Sequence, residues 1–125
     1  MVSAQVQPEA LGAFAAERIV VVVNHRPDHE EPGQPTSAEM AAAAESAGLR
    51  YHHLPVSGMP GGDVGRATAE VLAQLLPGEQ ALMFCRSGMR STAAWALARR
   101  AEGVDADTLR AAAAAAGYDL SRLPL

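Results

Sequence analysis

Apolar and polar positions along this chain follow two rhythms, and the switches between them lay out the elements. Val2 to Val6 alternates weakly and predicts a short first strand. Pro8 suits the first turn of a helix, where its missing N–H would be unpaired anyway, and that helix is expected to run to about Glu17. Ile19 to Val23 is an unbroken β-branched run, the pattern of a strand buried on both faces. Asn24 to Pro35 holds three prolines and a glycine among acidic residues and reads as a loop. Thr36 and Glu39 form a capping box, so a helix starts there, runs to Ala47 and stops at Gly48. Tyr51 to Val56 predicts a strand and Ser57 to Gly62 a loop. Asp63 is expected to cap a helix reaching Leu76, ended by Pro77-Gly78. Gln80 to Phe84 is a further strand, and Ser91 to Glu102 a further helix. A last helix starts near Asp105 or Asp107 and ends at Gly117. Its run Ala111 to Ala116 is read as helix packed closely on a neighbour, because alanine is the best helix former.

Strands alternating with helices imply an α/β fold, a mostly parallel sheet flanked by helices on both faces. Sites in such sheets lie outside the carboxyl ends of the strands. Asn24 to Asp28, Ser57 to Gly62 and Cys85 to Arg90 all follow strands and should converge on that edge. With no linker, repeat or charge block, residues 1–125 are expected to form one domain.

Charge and composition narrow the partners. The net charge of −4, with basic residues scattered apart from Arg99-Arg100, argues against nucleic-acid binding. No apolar run approaches the roughly 20 residues of a membrane span. No basic segment leads into an apolar stretch at the N-terminus, so no secretory signal is expected. The single cysteine cannot form an internal disulfide, which fits a reducing, cytoplasmic location.

That cysteine carries the chemistry. In Leu82-Met83-Phe84-Cys85-Arg86-Ser87-Gly88-Met89-Arg90-Ser91-Thr92 an apolar strand leads into Cys85 and an alanine-rich helix leaves the loop. The backbone N–H groups from Arg86 through Ser87, Gly88 and Met89 to Arg90, backed by a helix N-terminus, make an anion cradle. Gly88 lets the loop turn, and Arg90 adds a planar fork of donors for an oxyanion. The same field, with help expected from the Ser91 and Thr92 hydroxyls, favours thiolate, the form that attacks phosphorus or sulfur. Cys85 and Arg90 are therefore the candidate catalytic residues. Read alone, Cys85 would be a small buried strand-end residue and Arg90 a solvated arginine; their combination in one loop outweighs both readings.

The spacing C-x4-R separates two known loop types. Protein tyrosine and dual-specificity phosphatases carry H-C-x5-R followed by Ser or Thr, and rhodanese-type sulfurtransferases carry the shorter loop that this chain resembles. One residue fewer removes about 3.8 Å of contour, or about 0.6 Å of ring radius, which suits a persulfide sulfur better than a phosphoryl group. Phe84 stands where those phosphatases have histidine, and the region around Leu54-Pro55 lacks their general-acid aspartate. Asp28 and Asp63 remain as candidate acids, against plainer roles as a turn residue and a helix cap.

Asn24-His25-Arg26-Pro27-Asp28, Glu31-Pro32-Gly33-Gln34-Pro35-Thr36-Ser37 and Cys85 to Ser91 together resemble the bacterial phosphatase-like domains of β-lactamase-hydrolase-like proteins, members of which are also labelled sulfur transferases. The resemblance runs from about Val2 to Ala116. It implies a dual-specificity-phosphatase-like fold with a sulfurtransferase-length loop. Some members are fused to a persulfide dioxygenase of the metallo-β-lactamase fold, which here could act only as a separate partner.

Other residues are weighed as support. Asn24 at a strand end is placed to hydrogen-bond the Cys85 loop, and Arg26 either meets a substrate anion or braces the loop through Asp28 or Glu30. The four histidines do not make a metal site: His29-Glu30-Glu31 lacks H-E-x-x-H spacing, and adjacent His52 and His53 point to opposite faces of a strand. Gly58, Gly61 and Gly62 do not match a dinucleotide fingerprint. The sequence thus points to a cofactor-independent sulfurtransferase working through a Cys85 persulfide, between a small sulfane-sulfur donor and a thiol acceptor. Phosphatase chemistry on a phosphorylated substrate is the alternative, and a non-enzymatic anion binder or reactive-sulfur sensor is the third reading. The oligomeric state is left open.

Overall fold

The computed structural model describes residues 1–125. The elements follow the order β1 (Val2–Ser3), a 3-10 turn (Pro8–Ala10), α1 (Leu11–Ala15), β2 (Ile19–Asn24), α2 (Ser37–Ser46), β3 (Arg50–His53), α3 (Gly62–Ala73), β4 (Gln80–Phe84), α4 (Met89–Ala101) and α5 (Ala106–Ala115). The four strands form one sheet in the order β1-β4-β2-β3, and every pairing is parallel.

The β-branched run of β2 takes a central place because both of its faces are buried. Val22 faces a core with Leu82 and Phe84 of β4, Leu11 of α1, and Met40 and Ala44 of α2. Val21 and Val23 face the opposite core, with Ala81 and Met83 of β4 and Val71 of α3. Residues one apart on a strand point to opposite sides, so a single run serves both layers. Outside α4 lies a third cluster, built from Ala93, Ala96, Leu109, Ala113, Leu120 and Leu123.

Small residues set the helix spacing on this side. At Gly65 of α3 an added Cβ would stand 2.8 Å from the Leu97 Cβ of α4, so a larger residue there would push the helices apart. The run Ala111 to Ala116 is less enclosed than its composition predicts. Only Ala113 is buried, because α5 lies on the outside of α4 and shows most of its circumference to solvent.

Some boundaries differ from the sequence expectations. The first strand ends at Ser3 instead of Val6, and the first helix ends at Ala15 instead of near Glu17. Asp63 does not cap α3. Gly61 is the N-cap and Asp63 lies inside the first turn, bound to Arg66 at 3.3 Å. The Thr36 cap forms as expected, its Oγ1 accepting from the Glu39 N–H at 3.1 Å.

Candidate active site

Sheet register brings the three loops together. Asn24 pairs with His53 on one side and Phe84 on the other, so β2, β3 and β4 end level. The ladder continues past the strands: the His25 N–H donates to the Phe84 carbonyl at 2.9 Å, and the Leu54 N–H to the Asn24 carbonyl at 2.9 Å. Cys85 is the first residue beyond β4, and its side chain is fully buried.

The chain then turns sharply into α4. Gly88, at φ 96°, is the left-handed residue that allows the turn and the N-cap of the helix. Its N–H donates to Cys85 Sγ at 3.1 Å. A Cβ on Gly88 would collide with the phenol of Tyr118, whose hydroxyl donates to the Ser87 carbonyl at 3.2 Å. The Met89 N–H donates to Ser87 Oγ at 3.4 Å, and the Met89 side chain packs toward α5. Sγ therefore lies at the positive end of α4, where an anion is favoured.

Arg90 has five N–H donors, and three of them are engaged within the protein. Nη1 donates to Glu30 Oε2 at 2.8 Å and to the Val56 carbonyl at 2.8 Å, and Nη2 donates to Glu30 Oε1 at 2.8 Å. The remaining Nε–H and second Nη2–H lie along one edge of the planar group and form a second fork. Hydrogen bonds from Glu30 hold the Arg90 pKa above its ordinary value, and the nearby Cys85 sulfur adds to this. In return, Arg90 and then Arg26 hold the Glu30 carboxyl down at about 2, so it is ionised at neutral pH.

Arg26 is held as a brace. It is buried, with Nε on Glu30 Oε1 at 2.8 Å, Nη2 on Glu31 Oε1 at 2.8 Å and Nη1 on Gln5 Oε1 at 3.0 Å. Glu31 reaches on to exposed Arg86 at the loop rim, at 3.4 Å. Both arginines of the Cys85 loop are thus tied to one adjacent pair of carboxylates, and buried Arg26 joins that pair from beneath.

Four further residues stand differently from the sequence expectations. Asn24 does not bond the Cys85 loop. Its Oδ1 accepts from the Arg26 N–H at 2.8 Å and its Nδ2 donates to Tyr51 at 3.0 Å, because the end of β2 lies beside β3. Asp28 Oδ1 accepts from the Ser37 N–H at 2.7 Å and satisfies an orphan donor of α2. Ser91 Oγ bonds His25 Nδ1 at 2.8 Å, and Thr92 Oγ1 donates back to the Gly88 carbonyl at 2.8 Å. Neither hydroxyl bonds Sγ, because helical geometry turns the first toward β2 and the second along its own helix.

Sequence reasoning gave Glu31, His25, Thr68, Gln5 and Tyr118 no role in the hydrogen-bond network of the site. The adjacent acids Glu30 and Glu31, following Arg26 within one loop, were the available signal for the ion-pair ladder. Nothing in the local sequence marks Thr68 or Tyr118. Burial first, and the Arg90 charge second, lower the His25 pKa to about 4, so this imidazole is neutral at physiological pH.

Curated β-lactamase hydrolase-like proteins are similar to the chain. The one from Xylella fastidiosa (strain Temecula1) is 32% identical over 124 residues, covering 97% of this chain and 28% of that protein. The one from Agrobacterium fabrum is 30% identical over 93 residues, covering 73% and 21%. The chain therefore spans about 28% or less of the length of the curated relatives it matches. Among solved structures, a Neisseria meningitidis protein provisionally assigned as a phosphatase superposes with a TM-score of 0.78 at 31% identity, covering 94% of this chain and 82% of that one. A kinase-associated phosphatase, with a TM-score of 0.65 at 17% identity over 83% of this chain and 60% of its own, shares the fold. The family described as "Beta-lactamase hydrolase-like protein, phosphatase-like domain" matches residues 1–102, and the chain belongs to that family.

Proposed function

We propose that this domain is a cysteine-dependent sulfurtransferase on a phosphatase-like fold, acting in a reducing, cytoplasmic setting. Cys85 thiolate attacks the outer sulfur of a sulfane donor such as thiosulfate. A new S–S bond forms to Cys85, the donor's S–S bond breaks, and sulfite leaves with the bonding pair. An acceptor thiolate or cyanide then attacks the outer sulfur and returns Cys85 as thiolate. The N–H groups of the 86–90 loop and the free edge of Arg90 hold the departing anion, and Arg86 at the rim recruits it.

The observation that carries this reading is the state of the acids around the loop. Glu30 is ionised on two arginines, Glu31 is paired with Arg26 and Arg86, Asp28 caps α2, and Asp63 is bound to Arg66 on the exposed surface. Each of these carboxylates is already engaged by a partner within the protein. Sulfite is a weak base and leaves without a proton, whereas an alkoxide or phenoxide leaving a phosphate ester benefits from one. The one-residue-shorter loop supports the same choice.

Phosphoryl transfer through a cysteinyl-phosphate is the second reading, favoured by the family's fold and by an Arg90 edge that fits two phosphoryl oxygens. The intact mass of reduced protein after incubation with thiosulfate separates the two. One added sulfur on the wild type, removable by cyanide and missing from Cys85→Ser, is the expected result. No adduct, together with hydrolysis of aryl phosphates, would overturn it in favour of the phosphatase.

A further inference from the structure

Tyr118 reaches the active loop from beyond residues 1–102, the span that the family match covers. Its placement begins at the end of α5. Gly117, at φ 95°, takes the left-handed conformation that closes the helix. The Gly117 N–H donates to the Ala114 carbonyl at 3.0 Å and the Tyr118 N–H to the Ala113 carbonyl at 2.8 Å, the paired bonding of a Schellman stop. This stop fixes the backbone from which the half-buried Tyr118 ring packs on the cluster between α4 and α5.

The ring ends on one peptide unit. The Tyr118 hydroxyl donates to the Ser87 carbonyl at 3.2 Å, and the N–H of the same peptide, carried by Gly88, donates to Cys85 Sγ at 3.1 Å. The carbonyl and N–H of a trans peptide point in opposite directions. Holding the oxygen outward on Tyr118 therefore holds the hydrogen inward on the sulfur.

The tether acts where the chain is least constrained. Turning the Ser87–Gly88 peptide over reverses the sign of φ at Gly88, which stands at 96°. Glycine occupies both signs about equally readily, so its backbone does not choose between the two orientations. The reversed peptide would aim a carbonyl oxygen at the thiolate and lose the donor. The phenol lies where a Gly88 Cβ would stand, so the contact that tethers the carbonyl also requires glycine, and with it this freedom.

We propose that Tyr118 is a positioning residue that locks the Ser87–Gly88 peptide with its N–H on Cys85 Sγ. The chain beyond α4 thereby completes the anion cradle. The consequence for catalysis rests on the reading of Cys85 as the nucleophile; the tether itself does not.

Tyr118→Phe keeps the ring against Gly88 and removes only the hydroxyl. Solvent-exchange NMR of the nitrogen-15-labelled protein reads the Gly88 N–H directly, whatever reaction Cys85 performs. Its exchange should quicken about five-fold, as for the loss of one neutral hydrogen bond. The Thr92 N–H, bonded to the carbonyl of the next peptide at 2.9 Å, should keep its rate. Equal quickening of both would reduce Tyr118 to packing for α4, and an unchanged Gly88 rate would show that no tether exists; either result overturns the proposal. The second measurement is the single-turnover rate of sulfur loading from thiosulfate, expected to fall about five-fold in Tyr118→Phe. A wild-type loading rate beside a quickened Gly88 N–H would overturn the positioning role. If the wild type acquires no sulfur, the sulfurtransferase reading fails by itself, and the exchange comparison still decides the tether.

Discussion

Arg90 holds Glu30 through both terminal nitrogens, at 2.8 Å each, across 60 residues of sequence. This pairing settles the direction of the loop arginine before any substrate arrives. A bidentate pair fixes a guanidinium in its plane, so the Nε–Nη2 edge is left for whatever anion the loop holds. A mobile arginine would have to be ordered during the reaction, and preorganised donors avoid that cost.

Replacing Glu30 with glutamine keeps the size but turns an acceptor into a donor facing the guanidinium. Sulfur loading should fall about 100-fold, as expected when a positioned group is displaced by about 1 Å. Stability should fall by about 2 kcal/mol, the scale of a charged hydrogen bond. Stopped loading assays and urea unfolding would check the two effects. Wild-type rates in this variant would show that Arg90 needs no such anchor.

Acid should weaken the fold through His25. Its folded pKa, about 4, lies below its ordinary 6.5, so the unfolded chain binds the proton first. The stabilisation is complete above 6.5 and is lost as pH falls through about 4. Between about pH 7.5 and about pH 4.5 the loss should be about 2–3 kcal/mol. Glu30 contributes little over that interval, because its stabilisation is lost only as pH falls from 4.5 toward about 2. Urea titrations at both pH values should show the slope in the wild type and its reduction in His25→Gln. Equal slopes would remove His25 as the cause.

Gly88→Ala meets two separate obstacles, a φ of 96° and the Tyr118 ring. The backbone strain alone should cost about 1–3 kcal/mol. Adding Tyr118→Ala should relieve the collision and leave the strain, so the double variant recovers only part of the lost stability. Full recovery in denaturant unfolding would mean that φ at this position is not restrictive.

Inserting one glycine between Ser87 and Gly88 gives the loop the phosphatase length. If ring size sets the choice of group, the ratio of aryl phosphate hydrolysis to sulfur loading should rise. A ratio equal to that of the wild type would reject the size argument.

The sequence alone determined the order of the strands and helices, the parallel sheet and the position of the active loop. These follow from contiguous residues: the β-branched run of β2, the Thr36 cap, and an apolar strand passing through Cys85 and Gly88 into a helix. Only the tertiary structure decided which side chains meet. It set Glu30 on Arg90, His25 between Thr68 and Ser91, and Tyr118 over Gly88, and it gave Asp28 to the start of α2. Periodicity fixes which face a residue takes within its own element. Partnership across the sheet edge depends on the register of separate strands and on how each loop folds back, and neither is written in the residues nearby.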